Sequence, residues 1–488
     1  MERFRTWRTV VLSDLGILLL LALARIALHT LTNGQYGFHR DELAMVDNAR
    51  HLDWGFVDYP PLTPLIGRLA LELFGPSLVG LRLFGALAQS AGMVLAGLMA
   101  RELGGQRLAQ VVATLATAIA PLSLGQSALF QYVSFDYLWW ILIAYLTIRM
   151  LKSDDPRWWT GIGAVIGMGM LTKYTMAFFV AGVAAGVVLT QARRQLTSPW
   201  LWGGAALSLL IFMPNLIWQG QHNFISLDFL SSIHARDIRI GRTEGCLTEQ
   251  FYINANPFTI PLWVAGLYYY FFAPTGRRYR PLGWMFVVPF VLFFIARSRA
   301  YYLAPAYPML IAAGAVSMER WLASLSAGRA RLVRGMAWGA LAVGGIGFGA
   351  IALPVAPVNS PWYQVASTAN DGFREEIGWP ELVETVAGIH AALPAEDKAQ
   401  AGILAGNYGE AGALNLYGPA YGLPEAISGI NTYWLRGYGD PPPQTLIVLG
   451  LPQSEAGRFL ERRDLAGHVT NRYGIENEET RDHPDILA

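Results

Sequence analysis

The chain has 488 residues, of which 53% are hydrophobic and 15% charged, whereas about a quarter of the residues in an ordinary soluble domain are charged. Its formal net charge of +1 gives no reason to expect nucleic acid or another polyanion as a partner. The single cysteine, Cys246, excludes an internal disulfide and argues against a cysteine-based metal cluster. The composition therefore predicts an integral membrane protein.

Apolar runs suited to membrane-crossing helices recur along the first 354 residues. A span needs about 20 apolar residues in helix, and we predict eleven spans, some of them short. The first follows a basic head and has no small-residue cleavage site, so we expect it to be retained. The fifth and sixth spans are adjacent in the sequence, which predicts that they form a tight helical hairpin. The runs lie near 10–31, 77–100, 108–125, 134–151, 157–172, 175–191, 199–218, 257–273, 281–296, 300–317 and 333–354.

The distribution of Lys and Arg predicts the orientation of these spans, because cytoplasmic connections carry an excess of both. With the N-terminus in the cytoplasm, every inside connection is basic. An odd number of spans then places the C-terminal segment on the outer side of the membrane. The basic inside residues are Arg101, Arg107, Lys152, Arg157, Arg193, Arg194, Arg277, Arg278, Arg280, Arg320, Arg329, Arg331 and Arg334.

Three outer segments are long enough to carry function. We expect residues 1–354 to form a transmembrane catalytic domain that includes the outer loops 32–76 and 219–256. The composition of residues 355–488 is typical of a soluble protein, and we predict that they form a small C-terminal α/β domain. Within it, residues 402–406 and 445–450 are typical of buried strands, and residues 375–392 and 410–417 of helices.

The first outer loop concentrates ionisable residues at the membrane edge. Apolar residues at helical spacing follow Asp41 and Glu42, which predicts that both lie at a helix N-terminus. A purely structural interpretation is that Asp41 caps this helix and Glu42 complements its dipole. The position directly after a span, beside Trp54, Tyr59 and the rigid Pro60-Pro61 corner, favours a functional site.

The sequence resembles the protein mannosyltransferase superfamily of GT-C glycosyltransferases, which includes bacterial aminoarabinose transferases acting on lipid A. The similar segments follow the family's order over most of residues 1–320. The C-terminal segment is similar to the outer domain of a bacterial subgroup. The matching segments are Arg40-Asp41-Glu42, residues 58–62 with Phe74-Gly75, residues 131–136, 169–174 and 301–308, and in the C-terminal segment residues 406–410 and 428–431.

The resemblance implies a polytopic GT-C fold and an inverting transfer reaction. A sugar would move from a polyprenyl-phosphate donor to a hydroxyl of a lipid, glycan or protein acceptor at the outer face. Asp41 matches the family's catalytic aspartate, and Glu42 matches the residue that follows it in the family. Asp136 matches a second acidic position, although it could equally cap its helix. Carboxylates meeting from different loops would raise one pKa or bind a divalent cation, so these three residues are also candidate metal ligands.

The leaving lipid phosphate needs cations at the outer boundary. Lys173 lies between two apolar segments, where a charge is costly in lipid and usually has a functional partner; snorkelling to the headgroups is the alternative. Arg297 and Arg299 depart from the positive-inside pattern and precede two tyrosines. We expect all three cations, with Tyr302, to contact the phosphate.

One turn departs from the family pattern. In the aminoarabinose transferases, the turn before the proline carries a lysine that contacts the lipid phosphate. Here that place is held by Asp58-Tyr59, and we expect Tyr59 to serve as a phosphate contact alongside the other residues.

A second functional class is a transporter or flippase of a lipid-linked saccharide. Transporters commonly contain repeated halves with broken helices at the bilayer midplane. The sequence shows no such repeat, and its unusual polar residues gather at the outer boundary. We therefore favour the glycosyltransferase, which uses a lipid-linked donor and needs no nucleotide-binding domain.

Overall fold

The computed structural model describes residues 13–458 and 460–488. The basic head (Arg3, Arg5 and Arg8) and the first residues of the expected first span lie outside the described residues. The chain divides into two compact units. The first comprises the residues up to Leu31, Tyr59–Leu62 and Arg82–Leu353, and the second comprises Thr32–Asp58, Thr63–Leu81 and Pro354–Ala488.

Helices account for most of the chain up to Leu353. A short 3₁₀ segment, Ala300–Ala306, precedes the last two of them. In chain order the helices are α1 (Asp14–Thr32), α2 (Arg40–Arg50), α3 (Leu62–Phe74), α4 (Leu78–Glu102), α5 (Arg107–Ala118), α6 (Pro121–Ser127), α7 (Tyr132–Ser153), α8 (Trp158–Met170), α9 (Met176–Val188), α10 (Pro199–Gln221), α11 (Ile225–Arg239), α12 (Ile260–Phe271), α13 (Arg280–Ile295), α14 (Tyr307–Ser324) and α15 (Ala327–Ala352).

Each of the eleven predicted runs is helical in the structure. By length and composition alone, six helices within the described residues could cross a membrane, or up to eight if the two sharply bent pairs, α5–α6 and α9 with the 3₁₀ turn after it, are each one span. Helices α8 and α12, with 13 and 12 residues, are shorter than a bilayer needs. Helix α14 is also not among the helices that could cross a membrane by this criterion. The multi-pass helical character is therefore confirmed, while the number eleven stays a prediction.

A buried arginine fixes the 67° break between α5 and α6. Arg25 of α1 is only 6% exposed. Its Nη2 donates to the Ser123 carbonyl oxygen at 2.7 Å and to the hydroxyl oxygens of Ser123 and Ser127 at 2.8 Å each. The Ser123 hydroxyl donates in turn to Gln89 of α4 at 2.9 Å. The guanidinium thus ties the short helix α6 to α1 through hydroxyl and carbonyl oxygens.

The second unit contains the small α/β fold predicted for the C-terminal segment. Its five strands lie in the order β2-β1-β3-β5-β4; β1 pairs in parallel with β2 and β3, and β5 is antiparallel to β3 and β4. Its elements are α16 (Pro361–Ala369), α17 (Trp379–Ala392), α18 (Ala395–Ala399), β1 (Ala401–Ala405), α19 (Tyr408–Tyr417), β2 (Ala426–Ile427), β3 (Thr445–Leu449), α20 (Gln453–Ala456), β4 (Leu465–His468), α21 (Glu478–Asp482) and β5 (Asp485–Leu487).

The loop after α1 packs with the C-terminal segment inside this second unit. The Tyr36 ring meets Tyr363 and Phe373 edge-on, with centroids 5.5 and 5.2 Å apart. The Tyr36 hydroxyl donates to the Ala356 carbonyl at 2.7 Å, and the Gly37 N–H donates to the Glu376 carbonyl at 3.0 Å. These contacts place most of loop 32–76 in the same unit as residues 354–488. The division into domains 1–354 and 355–488 stays a prediction.

Replacing Arg25 by Met should destabilise the first unit, because the carbonyl and hydroxyl oxygens around it lose their donor inside a packed helix bundle. We expect a loss of about 1–3 kcal/mol in the free energy of unfolding, measured by denaturant titration in detergent. Arg68→Met, on the exposed face of α3, is the matched control and should change the free energy by less than about 0.5 kcal/mol. Equal effects of the two variants would contradict the role given to Arg25.

Candidate functional site

The N-terminus of α2 is closed by a histidine. His39 is the N-cap residue, and its Nδ1 accepts the backbone N–H of Asp41 at 3.1 Å. The Glu42 carboxylate accepts the backbone N–H of His39 at 2.9 Å and completes a capping box. The interpretation of Asp41 as the cap is therefore wrong, since the histidine takes that place. Glu42 is fully buried, and its catalytic role stays a prediction.

Asp41 is bound by a tyrosine from the C-terminal segment. The Tyr408 hydroxyl, at the start of α19, donates to Asp41 Oδ1 at 2.7 Å. The side chain of Asp41 nevertheless remains about 36% exposed. The Asp41 carboxylate thus accepts a hydrogen bond from the C-terminal segment and is still accessible, while its catalytic role stays a prediction. The sequence motif contained Tyr408, but nothing in the spacing paired it with Asp41.

The residue before Asp41 is clamped by three carboxylates. Arg40 Nη1 donates to Glu478 at 2.7 Å and to Glu479 at 2.8 Å, and its Nε lies 3.7 Å from Glu375. Burial raises the pKa of Glu375 to about 7, opposed by the neighbouring Arg40. This cluster fixes the backbone at the beginning of α2.

Asp58 joins the first outer loop to the C-terminal segment. Its two carboxylate oxygens accept the Asn431 amide and the Thr432 hydroxyl, each at 3.2 Å. Burial raises the pKa of Asp58 to about 7, and the charge of Asp41 contributes in the same direction. The departure from the family pattern at this position thus corresponds to a structural link between two segments of the second unit.

In the first unit, Lys173 lies in a cage of aromatic rings. It follows α8 in the turn of the predicted hairpin and is only 7% exposed. Its Nζ lies 3.9 Å from the ring centroid of Tyr302, 5.1 Å from that of Tyr301 and 5.3 Å from that of Tyr132. Within the described part of the chain, its ammonium makes neither a salt bridge nor a hydrogen bond.

The same region gathers several of the segments that resemble the family. Tyr59 is buried, and its ring lies 5.8 Å from that of Tyr132. The Leu62 N–H donates to the Leu171 carbonyl at 2.9 Å, which joins the Pro60-Pro61 corner to the hairpin turn. Asp136, 1% exposed, accepts the Trp140 indole N–H at 3.0 Å and interacts electrostatically with Lys173. The first unit thus brings together Tyr59, Asp136, Lys173 and Tyr302.

Arg297 and Arg299, which were predicted to lie on the outer side, differ in their surroundings. Arg299 forms a bidentate pair with Asp237 of α11, with N···O distances of 2.6 and 2.9 Å. Burial opposes the ionisation of Asp237, but the bonds to Arg299 outweigh it, and the pKa of Asp237 lies below its ordinary value. Arg297 is exposed at a left-handed residue after α13, with φ of 47°. Sequence reasoning missed Asp237 because α11 offered many charges of equal appearance.

The predicted metal ligands do not form a recognisable metal site. Residues 13–458 and 460–488 contain no group of three or more His, Cys, Asp or Glu side chains that could hold an ion. The set Asp41, Glu42 and Asp136 therefore stays a prediction.

A polar cavity of about 330 Å³ lies within the second unit. One wall is a face of α16 that presents Gln364, Ser367 and Thr368. Arg374, Arg481 and the acidic Glu476 also line the cavity. Arg481 pairs with the adjacent Asp482 at 3.0 Å, whereas Arg374 forms no salt bridge with any described residue.

Comparison with known proteins relates the chain to membrane glycosyltransferases. Residues 58–218 match the family described as dolichyl-phosphate-mannose-protein mannosyltransferase. The lipid A galacturonosyltransferase RgtD of Rhizobium johnstonii is 27% identical over 179 residues, which are 36% of this chain and 37% of that protein.

Solved structures with a similar fold cover almost the whole chain. ArnT from Cupriavidus metallidurans, bound to undecaprenyl phosphate, is 16% identical with a TM-score of 0.57, and the match covers 96% of this chain and 97% of that one. The apo state of the same protein gives a TM-score of 0.59. The Archaeoglobus fulgidus oligosaccharyltransferase is 12% identical with a TM-score of 0.50 and covers 83% of this chain and 64% of that one.

The fold is thus that of the GT-C membrane transferases, and the family match covers the region that carries Asp58, Asp136 and Lys173. These findings confirm the predicted resemblance: residues 58–218 are similar to the protein mannosyltransferase family, and part of the chain is similar to a lipid A-modifying transferase.

Proposed function

We propose that this protein transfers a sugar from a polyprenyl-phosphate-linked donor to an acceptor hydroxyl, with inversion, at the outer face of the bacterial cytoplasmic membrane. The observation that carries the proposal is the buried ammonium of Lys173. Cation–π contacts contribute about 0.5–2 kcal/mol and the Asp136 carboxylate interacts electrostatically with the ammonium, against the several kcal/mol that burial of an ion costs. A site that keeps such a cation at membrane depth is suited to an anionic headgroup, and a lipid phosphate is one.

The residues of each unit suit one half of the reaction. In the second unit, Asp41 would accept the proton of the acceptor hydroxyl as its oxygen attacks the anomeric carbon. The bond from that carbon to the phosphate oxygen breaks, and the lipid phosphate leaves with the electron pair. In the first unit, Lys173 would stabilise the charge on this phosphate, with the hydroxyl groups of Tyr301 and Tyr302 as further donors.

Arg299 has a different role in this proposal. Its guanidinium is already committed to Asp237, so it would position the segment that carries Tyr301 and Tyr302 rather than bind phosphate alone. Arg297 is exposed and is therefore the more accessible of the two arginines for a phosphate. Tyr59 would support Lys173 through its contact with Tyr132.

The polar cavity of the second unit supports an anionic acceptor. Its volume lies at the lower end of the range for ligand sites, about 300–1,000 Å³. Arg374 and Arg481 would bind acidic groups, while the hydroxyl groups of Ser367 and Thr368 suit a sugar. The lipid A named for the curated relative is a phosphorylated saccharide, and we propose it as the first acceptor to test.

A flippase of a lipid-linked saccharide is the alternative. It would move intact donor across the membrane and leave the sugar–phosphate bond unbroken. A carboxylate oriented for proton transfer, such as Asp41, has no role in that process. Purified protein in liposomes separates the two functions, because only the transferase releases free polyprenyl phosphate.

Asp41→Asn should lower kcat by about 10²–10⁴-fold, the usual contribution of general base catalysis. The measurement is the transfer of labelled sugar from a polyprenyl-phosphate donor to lipid A by the purified protein. Asp53→Asn, in the same loop, is the matched control and should retain activity. Full activity of Asp41→Asn would remove this residue from the mechanism.

Lys173→Met should lower the transfer rate by about 10²–10³-fold, because the developing phosphate charge loses its cation. Lys173→Arg should retain part of the activity, since it keeps the charge but not the shape. The exposed Lys398→Met serves as control in the same assay. Movement of intact donor through wild-type liposomes, with no bond cleavage, would favour the flippase.

The double variant Arg374→Gln, Arg481→Gln should raise KM for lipid A by about fivefold or more, a loss of ~1 kcal/mol, with kcat within about twofold. The reason is that the cavity loses both cations while the residues proposed for chemistry are unchanged. Arg462→Gln, an exposed arginine of the same unit, is the control. An unchanged KM would show that the acceptor binds elsewhere.

A further inference from the structure

Helix α19 approaches α2 closely through two glycines. A Cβ added to Gly412 would lie 2.7 Å from the Leu43 carbonyl carbon and 2.9 Å from its Cβ. A Cβ added to Gly409 would lie 2.8 Å from the Cβ of Arg40. Such distances are shorter than van der Waals contact, so a side chain at either position would push the two helices apart. The close approach places the first residue of α19 beside the first turn of α2.

The beginning of α19 is itself fixed by a capping box. Asn407 Oδ1 accepts the Gly409 N–H at 2.7 Å, and the Glu410 carboxylate accepts the Asn407 N–H at 3.1 Å. Tyr408, between them, is the first residue of the helix and has little backbone freedom. Its hydroxyl reaches Asp41 Oδ1 at 2.7 Å.

On the other side, the Arg40 clamp holds the backbone that carries Asp41. Glu478 and Glu479 belong to α21, and Glu375 precedes α17. The catalytic candidate therefore has its backbone and its carboxylate held by separate parts of the C-terminal segment. A tyrosine needed only for packing would not require its hydroxyl to meet a partly exposed carboxylate.

We propose that Tyr408 is a positioning residue for the transfer reaction: its hydroxyl holds the Asp41 carboxylate in one orientation, which makes the C-terminal segment part of the catalytic apparatus. The inference rests on the proposed function, in which Asp41 is the base. It adds a residue and a role that no sequence signal assigned.

The Tyr408 hydroxyl can act as the donor of this hydrogen bond at physiological pH. Burial raises the pKa of Tyr408 well above its ordinary value, and the charge of Asp41 adds to this, so the phenol remains a donor throughout the physiological range. The other ionisable groups that face Asp41 are His39, Arg40 and Asp58. Of these, His39 uses Nδ1 as an acceptor for the Asp41 N–H.

Tyr408→Phe should therefore lower kcat about tenfold while KM for the donor stays within about twofold. The carboxylate is still present in this variant but is no longer held in one orientation, so the loss falls on kcat. Tyr421→Phe, a 51% exposed tyrosine of the same segment, should change neither quantity. An unchanged kcat in Tyr408→Phe would overturn the inference and leave the proposed function intact.

The contact can also be measured without activity, and this measurement does not depend on the folding of Tyr408→Phe. The ¹⁹F NMR signal of 3-fluorotyrosine at position 408 should shift when Asp41 is replaced by Asn, and should not shift for Asp53→Asn. A shift in a wild-type protein that transfers no sugar would mean that the proposed function, rather than the contact, is wrong. No shift on Asp41→Asn would refute the contact itself.

The helix approach provides an independent test. Gly412→Ala should reproduce the loss of kcat, because it forces α19 away from α2. Gly388→Ala, in α17, where a Cβ meets open space, is the matched control. Normal kinetics of Gly412→Ala would show that Asp41 does not depend on the position of α19.

Discussion

The cost of burying charge is the constraint on which both units of this protein depend. An ion removed from water must gain a partner or lose its charge. Arg25 donates to serine hydroxyl and carbonyl oxygens and Arg40 to carboxylates, whereas Lys173 lies among aromatic rings and interacts electrostatically with Asp136. Of these three side-chain cations, Lys173 alone makes no hydrogen bond or salt bridge within the described residues, and this difference separates a structural cation from one suited to a ligand.

The helices were predictable because the bilayer imposes a length and a composition on them. Each apolar run gave a helix, and two of the three internal strands of the C-terminal sheet, β1 and β3, were predicted because they are buried and rich in β-branched or aliphatic residues. The internal strand β5 and the edge strands β2 and β4 were not, since two to four residues are too few to give a periodic signal. Helices α8 and α12 show the limit of the length rule, because both runs are helical although each is shorter than a bilayer needs.

The candidate site was predictable as a set of residues but not as a set of contacts. Asp41, Asp136 and Lys173 stand out in the sequence because charges are rare in this chain. Their partners do not: Tyr408 is one of 21 tyrosines, and Asp237 lies in helix α11 among several similar charges. Pairings such as Asp41 with Tyr408 depend on how helices α2 and α19 pack, which one sequence does not specify.

The hydrogen bond between Asp41 and Tyr408 also constrains how the protein is made, since its partners are 367 residues apart. Translation adds about 5–20 residues per second, so Asp41 leaves the ribosome roughly 20–70 seconds before Tyr408 exists. During that interval the loop around α2 lacks the packing partners that the C-terminal segment provides. The environment of Asp41 described above can therefore form only after the last quarter of the chain has been synthesised.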